Sequence, residues 1–201
     1  AHAAGALVFL DAVHLAPHAR VDVAALGCDF LACSAYKFFG PHVGLLWGRR
    51  ELLETLPAYK VRPASEALPV RWETGTLDHE GIAGTLAAIE YLADLGRALE
   101  PAATSRREAI EAAFRGIEAH EQDLSRRALS RLATVPGLTL HGIADPARVA
   151  ERTPTFAFTH ARRTPSELAR FLAGRGIFTW SGNFYALALT EALGLEPHGV
   201  L

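Results

Sequence analysis

The sequence contains no methionine and only two cysteines among its 201 residues. Two cysteines cannot build a disulfide framework, and Cys28 and Cys33 lack the second Cys or His pair that a zinc site needs. We therefore expect no metal site and a reducing compartment, the cytoplasm. Because no Met stands at position 1 and both ends are abrupt, we also expect the chain to be a piece of a longer protein.

Long hydrophobic runs and an excess of charge of one sign are also missing. No apolar segment approaches the roughly 18 residues needed to cross a bilayer. The sequence also lacks a positively charged segment followed by an apolar one, which is the pattern of a secretion signal. The formal net charge of −2 provides no global field that would attract nucleic acid or an anionic membrane surface. We therefore expect neither of these partners, and any bound anion must be held by a local site.

Half of the residues are hydrophobic and 21% are charged, which excludes a disordered chain because burial of apolar surface offsets backbone ordering. Three apolar runs are typical of short strands in an α/β fold. They are ALVFL at 6–10, CDFLACSAY at 28–36 and GLLWG at 44–48. The first is expected to be a buried parallel strand, and Asp11 follows it at the carboxyl end, where ligands of α/β sheets bind.

Helical patterns lie between and after these runs. A short helix is expected over 21–27, stopped by Gly27, and another over 51–56, limited by Pro57. Apolar residues recur near every third or fourth position over 81–115. A second amphipathic helix is expected over 118–133.

The composition changes again towards the C-terminus. LTLHGI at 138–143 and TPTFAFTHA at 153–161 are typical of strands, and Thr164-Pro165-Ser166-Glu167 indicates the start of a helix. This small α/β layer is distinct from the first part of the chain. The expected domains are residues 1–115 and 116–201.

Lys37 stands out because the chain has 20 basic residues and all of them except Lys37 and Lys60 are arginines. It lies in CSAYKFFGPHVG, between an apolar strand and a Gly-Pro turn, where we expect its ammonium to be poorly solvated. Desolvation lowers the pKa of a lysine, which is what a Schiff-base amine needs. The residues alone leave open a lysine that merely extends into solvent from a strand end.

Asp11 supplies a second candidate. A carboxylate at the end of a buried strand is unfavourable unless a cation or hydrogen-bond donors meet it. In pyridoxal phosphate enzymes such a carboxylate pairs with the pyridine nitrogen of the cofactor. Asp11 and Lys37 at adjacent strand ends suit these two roles, whereas Asp11 alone would be an ordinary cap or turn residue.

The order of three segments then shows a specific resemblance. FLDAVHLAPH, DVAALGCDFLACSAYKFFGPHVGLLWG and WETGTLDHE resemble the class V aminotransferase family of pyridoxal phosphate enzymes, in its cysteine desulfurase-like branch. The resemblance implies an α/β, PLP-dependent transferase-like fold. Residues 1–115 would be the second half of the large, PLP-binding domain with its mostly parallel sheet. Residues 116–201 would be a truncated small C-terminal α/β domain.

The resemblance also implies roles around pyridoxal 5'-phosphate. Lys37 would form the internal aldimine as the catalytic residue, Asp11 would bind the pyridine nitrogen, and His14 would contact the phenolic oxygen. Without the resemblance, His14 would be an ordinary surface imidazole. The substrate implied is an amino-acid-like small molecule.

Three hydroxyl side chains complete the implied cofactor site. Ser34 would bind the phosphate, and Tyr36, which replaces the usual His before the lysine, would make a similar contact. Thr76 in ETGT matches a threonine that reaches the phosphate of the neighbouring subunit, so a homodimer with a shared active site is implied. Taken singly, Ser34 and Thr76 are also common turn residues and Tyr36 a common surface residue.

The chain departs from the family pattern in a segment of the small domain. Where cysteine desulfurases place a nucleophilic Cys, this sequence has Tyr185, and Trp180 stands in place of a substrate-binding arginine. A phenol cannot carry a persulfide, so desulfuration is not expected. Cys28 and Cys33 are poor substitutes because a buried cysteine is usually inert.

The reaction subtype and one alternative function remain open. Transamination, elimination, racemisation or lysis of the substrate would all use Lys37 as a proton carrier. Arg162 and Arg163 are candidates for a substrate carboxylate contact or, more simply, a solvated surface pair. The alternative is a non-catalytic or cofactor-incompetent relative that serves as a binding or scaffold module. A Rossmann-type dehydrogenase is excluded because no G-x-G-x-x-G follows the first strand.

Overall fold

The three apolar runs near the N-terminus form the strands of one sheet in the computed structural model, which describes residues 1–201. The strands are β1 (Phe9–Asp11), β2 (Phe30–Ser34) and β3 (Gly44–Gly48), in the spatial order β1-β2-β3. β1 pairs in parallel with β2, and β2 pairs antiparallel with β3. The predicted positions of all three strands are confirmed.

The expectation that the first strand is buried is wrong. The Phe9 side chain is 58% exposed, and Leu46 on β3 is 62% exposed. Both residues lie on edge strands of a three-stranded sheet, so each has a paired strand on one side only. On β2, Leu31 is buried in a small cluster with Ala12 and Cys28.

Two short helices follow the first and the third of these strands, as the sequence indicates. α1 (Val23–Leu26) begins at Asp22, whose side chain accepts the backbone N–H groups of the first turn, and ends at Gly27. Gly27 has φ of 63°, a left-handed conformation that favours glycine at a helix end. α2 (Arg50–Thr55) follows β3 directly.

The long helical region divides at a different place from the one expected. The structure has α3 (His79–Leu99) and α4 (Arg106–Leu132), so the break lies at 100–105 and no break occurs at 115–118. The Glu108 carboxylate accepts the backbone N–H groups of Thr104 and Ser105 and thereby starts α4. Together with hydrogen bonds from the side chains of the same two residues, they lower the pKa of Glu108 to about 2. The S-x-x-E capping signal at 105–108 outweighs the continuous apolar periodicity.

The core of the first unit lies where α3 and α4 meet the segment after β2. It contains the buried residues Ala16, Ala35, Phe38, Ala88, Leu92 and Phe114. The two helices approach closely at Gly96, where an added Cβ would lie 1.7 Å from the Ala109 carbonyl oxygen. Only glycine permits this helix contact.

The chain divides into two compact units, Ala1–Glu118 and Ala119–Leu201, and the division falls within α4. Their assignment as parts of a large and a small domain stays a prediction. No helix of the structure combines the length and the hydropathy needed to cross a membrane.

The second unit contains an antiparallel pair, β4 (Leu138–His141) and β5 (Ala157–His160), within the two predicted strand segments. α5 (Pro165–Ala173) begins with a capping box between the Thr164 hydroxyl and the Glu167 carboxylate, at the predicted helix start. α6 (Leu187–Ala192) follows and was not expected from the sequence.

The replacement Gly96→Ala tests the close contact between α3 and α4. The new methyl group would overlap the Ala109 carbonyl, so we expect the free energy of unfolding to fall by about 1–3 kcal/mol, the usual cost of overpacking. Gly44→Ala is the matched control, because nothing lies within 4 Å of its added Cβ. Denaturant unfolding of the three proteins gives the comparison. Equal midpoints for the two variants would contradict the close helix contact.

Candidate active site

The carboxyl ends of β1 and β2 lie side by side because the two strands are parallel neighbours. β1 ends at Asp11, and β2 ends at Ser34, directly before the turn that carries Lys37. The candidate residues that follow these strands therefore gather at one edge of the sheet, the edge at which ligands of α/β proteins bind.

Lys37 lies in a 3-10 turn, Ala35–Phe38, which we call the lysine turn. Residues three apart share one side of a 3-10 helix. Ala35 and Phe38 are buried in the core, whereas Tyr36 and Lys37 are exposed on the opposite side. The expectation of a poorly solvated Lys37 is wrong for this chain, because burial of Ala35 and Phe38 turns the lysine away from the core.

His14 lies in the turn that follows Asp11. One Asp11 carboxylate oxygen, Oδ1, accepts the backbone N–H of Val13 at 2.9 Å and shapes this turn. The pKa of His14 is lowered, first by partial burial and then by the positive charges of His18 and Lys37. The rings of His14 and His18 are 5.3 Å apart between centroids. The structure thus brings His14 close enough to Lys37 for their charges to interact.

Tyr36 contacts both Lys37 and a histidine that the sequence analysis did not select. The Lys37 amine nitrogen, Nζ, lies 4.7 Å from the centre of the Tyr36 ring. His42 stacks on Tyr36, with 5.1 Å between ring centroids and an interplanar angle of 21°. Nothing in the sequence pattern indicated this stacking, because it depends on how the chain folds back after the lysine turn.

The two remaining candidates differ in position. Ser34 precedes the lysine turn as its N-cap residue, yet its hydroxyl makes no capping hydrogen bond there. Thr76 is exposed in the loop between a 3-10 turn at Val70–Trp72 and α3. No hydrogen bond or ion pair of the structure joins Thr76 to the lysine turn. The structure therefore places Ser34 at the strand edge and Thr76 in a different loop.

The second lysine, Lys60, has a structural position that contrasts with Lys37. Its ammonium donates to the Ala64 carbonyl oxygen at 2.9 Å and pairs with the Glu66 carboxylate at 2.6 Å. The hydrogen bond from Lys60 is the main cause of the lowered pKa of Glu66. The Lys60 ammonium is thus held by two groups of its own loop, whereas Lys37 is exposed.

The second unit presents Trp180 and Tyr185 to solvent. Trp180 is 79% exposed and Tyr185 is fully exposed. Phe184 and Tyr185 have φ values of 55° and 62°, which are unfavourable for side chains with a Cβ. Arg163 lies over the ring of Phe171, 5.8 Å from its centre, and Arg162 is exposed beside it.

Both cysteines are free thiols. Cys28 is fully buried, and partial burial raises the pKa of the Cys33 thiol. Because the thiolate is the nucleophilic form, neither environment favours reactivity. The cytoplasmic location inferred from the scarcity of cysteine stays a prediction.

The charge interaction between His14 and Lys37 can be tested directly. In Lys37→Gln a positive charge that opposes protonation of His14 is lost, so we expect the pKa of His14 to rise. It stays below the ordinary histidine value because burial is the larger cause. An NMR titration of the imidazole protons measures the shift, with Lys60→Gln as the control that leaves His14 unchanged. An unaltered His14 titration in Lys37→Gln would show that the two side chains do not face each other.

Comparison with known proteins gives a consistent result. The sequence profile described as aminotransferase class-V matches residues 1–200. The chain is 34% identical to a cysteine desulfurase of Dickeya dadantii, over 97% of this chain and 45% of the relative. It is 32% identical to a cysteine desulfurase of Pectobacterium atrosepticum, over 97% of this chain and 46% of the relative. The chain therefore spans less than half the length of these relatives.

Solved structures support the same fold. The cysteine desulfurase CsdA of Escherichia coli matches with a TM-score of 0.72 and 29% identity, over 97% of this chain and 46% of that chain. An apo cysteine desulfurase from Thermococcus onnurineus NA1 matches with a TM-score of 0.74 and 24% identity, over 98% and 46%, a likeness of fold alone. The expected α/β, PLP-dependent transferase-like fold, present in part, is confirmed. With its profile matched along nearly the whole sequence, the chain belongs to the aminotransferase class-V family, whose members depend on pyridoxal phosphate.

Proposed function

We propose that this chain is the lysine-bearing part of a pyridoxal phosphate-dependent enzyme that acts on an amino-acid-like substrate. The observation that carries the proposal is the lysine turn. It presents an exposed Lys37 amine whose charge contributes to the lowered pKa of His14, at the strand edge where the neighbouring parallel strand ends in Asp11.

The chemistry of the side chains at this edge fits the groups of the cofactor. An amine suits its aldehyde, a carboxylate suits its ring nitrogen and an imidazole suits its phenolic oxygen. In this assignment Lys37 is the attachment point, Asp11 binds the ring nitrogen and His14 binds the phenolic oxygen. When bound, the cofactor withdraws electrons from the substrate carbon next to the amino group.

The phosphate would be held by hydroxyl groups. Ser34 suits this role because its hydroxyl is not used to cap the lysine turn. Tyr36 lies next to Lys37 with its ring partly exposed. Thr76, on its separate loop, would serve the phosphate of a second subunit, so the proposed assembly is a homodimer with a shared active site. Net charge does not provide this anion binding, so local groups must do so.

Asp11 and Lys37 would divide the acid–base work. The Asp11 carboxylate, already positioned by the Val13 N–H, would keep the ring nitrogen protonated. The Lys37 amine, once released by an incoming substrate, would accept or return a proton at the substrate carbon. His14, whose pKa is lowered mainly by burial, would remain a neutral imidazole near pH 7.

The proposed reaction is not cysteine desulfuration. Tyr185 stands at the position where the resemblance places the nucleophilic Cys, and a phenol cannot carry a persulfide. Cys28 is buried, and the pKa of Cys33 is raised by burial. Transamination, elimination, racemisation and lysis of an amino acid are the reaction types that need only Lys37 and the cofactor.

A second candidate function is a non-catalytic relative that serves as a binding or scaffold module. Trp180 and Tyr185 favour it, because both replace polar or reactive family residues and both are extensively exposed. In this alternative the cofactor is absent, or is bound but never transferred to a substrate.

The first proposal predicts covalent attachment of pyridoxal phosphate at Lys37. After incubation of the full chain with the cofactor and reduction with borohydride, mass spectrometry should find the phosphopyridoxyl group on Lys37. The chain has only one other lysine, Lys60, whose amine is held by Ala64 and Glu66. We therefore expect Lys37→Ala to abolish the labelling and Lys60→Arg to retain it.

A second arm of the same experiment separates the two candidate functions. In an enzyme, an amino-acid substrate added before borohydride takes the cofactor from Lys37 and lowers the label there. Label that resists a panel of amino acids would favour the scaffold function. Equal labelling of Lys60 and Lys37, or labelling of neither, would contradict the proposed cofactor site.

A further inference from the structure

The ring of His42 stacks on the ring of Tyr36, the residue that precedes Lys37. His42 has no part in the proposed cofactor contacts. It follows the lysine turn by four residues and is exposed. Its imidazole makes the 5.1 Å, nearly parallel contact with the Tyr36 ring described above. Offset-stacked aromatic pairs of this separation attract each other beyond the area that they bury.

The backbone explains why His42 returns to Tyr36. Phe39 has φ of 69°, which reverses the chain after the lysine turn. At Gly40 an added Cβ would lie 2.9 Å from the Ala35 carbonyl oxygen, so the chain passes close to the turn. The Ala35 N–H then donates to the Val43 carbonyl oxygen at 2.8 Å and closes the loop. His42 is therefore placed beside Tyr36 by a closed backbone loop and not by chance contact of two long side chains.

The Tyr36 ring connects His42 to the lysine. The Lys37 amine nitrogen lies 4.7 Å from the ring centre, a distance at which a cation is attracted to the face of an aromatic ring. Lysine has four rotatable side-chain bonds, and this contact restricts the positions of its amine. The contact exists only while the Tyr36 ring keeps its present orientation.

We propose that His42 is a positioning residue for Lys37 and acts through Tyr36. Stacking by His42 fixes the orientation of the Tyr36 ring, and the fixed ring holds the Lys37 amine at the sheet edge. In relation to the proposed function, this arrangement keeps the amine where the aldehyde of the cofactor arrives. The inference deepens that function, but the contact itself exists without any cofactor.

The first readout therefore needs no cofactor. An aromatic ring shifts the NMR signals of protons over its face to higher field, so the ε-methylene protons of Lys37 should be shifted relative to those of Lys60. We expect His42→Ala and Tyr36→Leu to move them most of the way to the Lys60 position. His42→Phe, which can still stack, should retain the shift.

The second readout is the rate of phosphopyridoxyl labelling of Lys37. A cation–ring contact of an exposed lysine corresponds to about a two- to fivefold difference in how often the amine occupies one position. Because the amine of His42→Ala leaves the sheet edge more often, we expect labelling to slow by at most that factor. His42→Phe should restore the rate, which a role of the imidazole nitrogens would not allow. His120→Ala, at an exposed histidine of α4, is the matched control and should leave both readouts unchanged.

The outcomes separate this inference from the proposed function. If the NMR signal of Lys37 depends on His42 but the chain is never labelled, the positioning role stands and the proposed cofactor site is wrong. If Lys37 is labelled normally, and neither its NMR signal nor its labelling rate changes in His42→Ala, the positioning role alone is wrong. Because the side chain of His42 is exposed, circular dichroism should show all variants folded, and a variant that unfolds is replaced by His42→Gln.

Discussion

Burial of Ala35 and Phe38 against α3 and α4 is the constraint on which the rest of the candidate site depends. Ala35 is completely buried and Phe38 is 9% exposed, and burial of one large apolar side chain stabilises a fold by roughly 1.5–3 kcal/mol. Because a 3-10 turn repeats every three residues, this burial leaves Lys37 on the outer side. The Lys37 amine is therefore positioned by core packing, and the same core depends on the close helix contact at Gly96.

Charge at the sheet edge follows from this packing. Lys37 and His18 both oppose protonation of His14, and His14 lies in the turn that follows Asp11. In our proposal these side chains form the local site that a chain with a formal net charge of −2 needs to hold an anionic phosphate and a ring nitrogen.

Short-range signals in the sequence predicted much of this architecture. Apolar runs located β1 to β3, and Gly27 and the Thr164 capping box marked helix ends, because each depends on a few neighbouring residues. The start of α4 was missed although its capping residue, Glu108, was present in the sequence, since a continuous apolar periodicity concealed it. The sequence left both a poorly solvated and an exposed Lys37 open, and the stacking of His42 could not be predicted, because both features depend on which side of a short turn the core buries.

The central claim is that Lys37 and Asp11 hold opposite sides of one cofactor. A crystal structure of the chain soaked with pyridoxal phosphate tests this claim most directly. The account predicts electron density continuous with the Lys37 amine nitrogen and a ring nitrogen within hydrogen-bond distance of the Asp11 carboxylate. Density attached to another amine, or a ring whose nitrogen points away from Asp11, would contradict it.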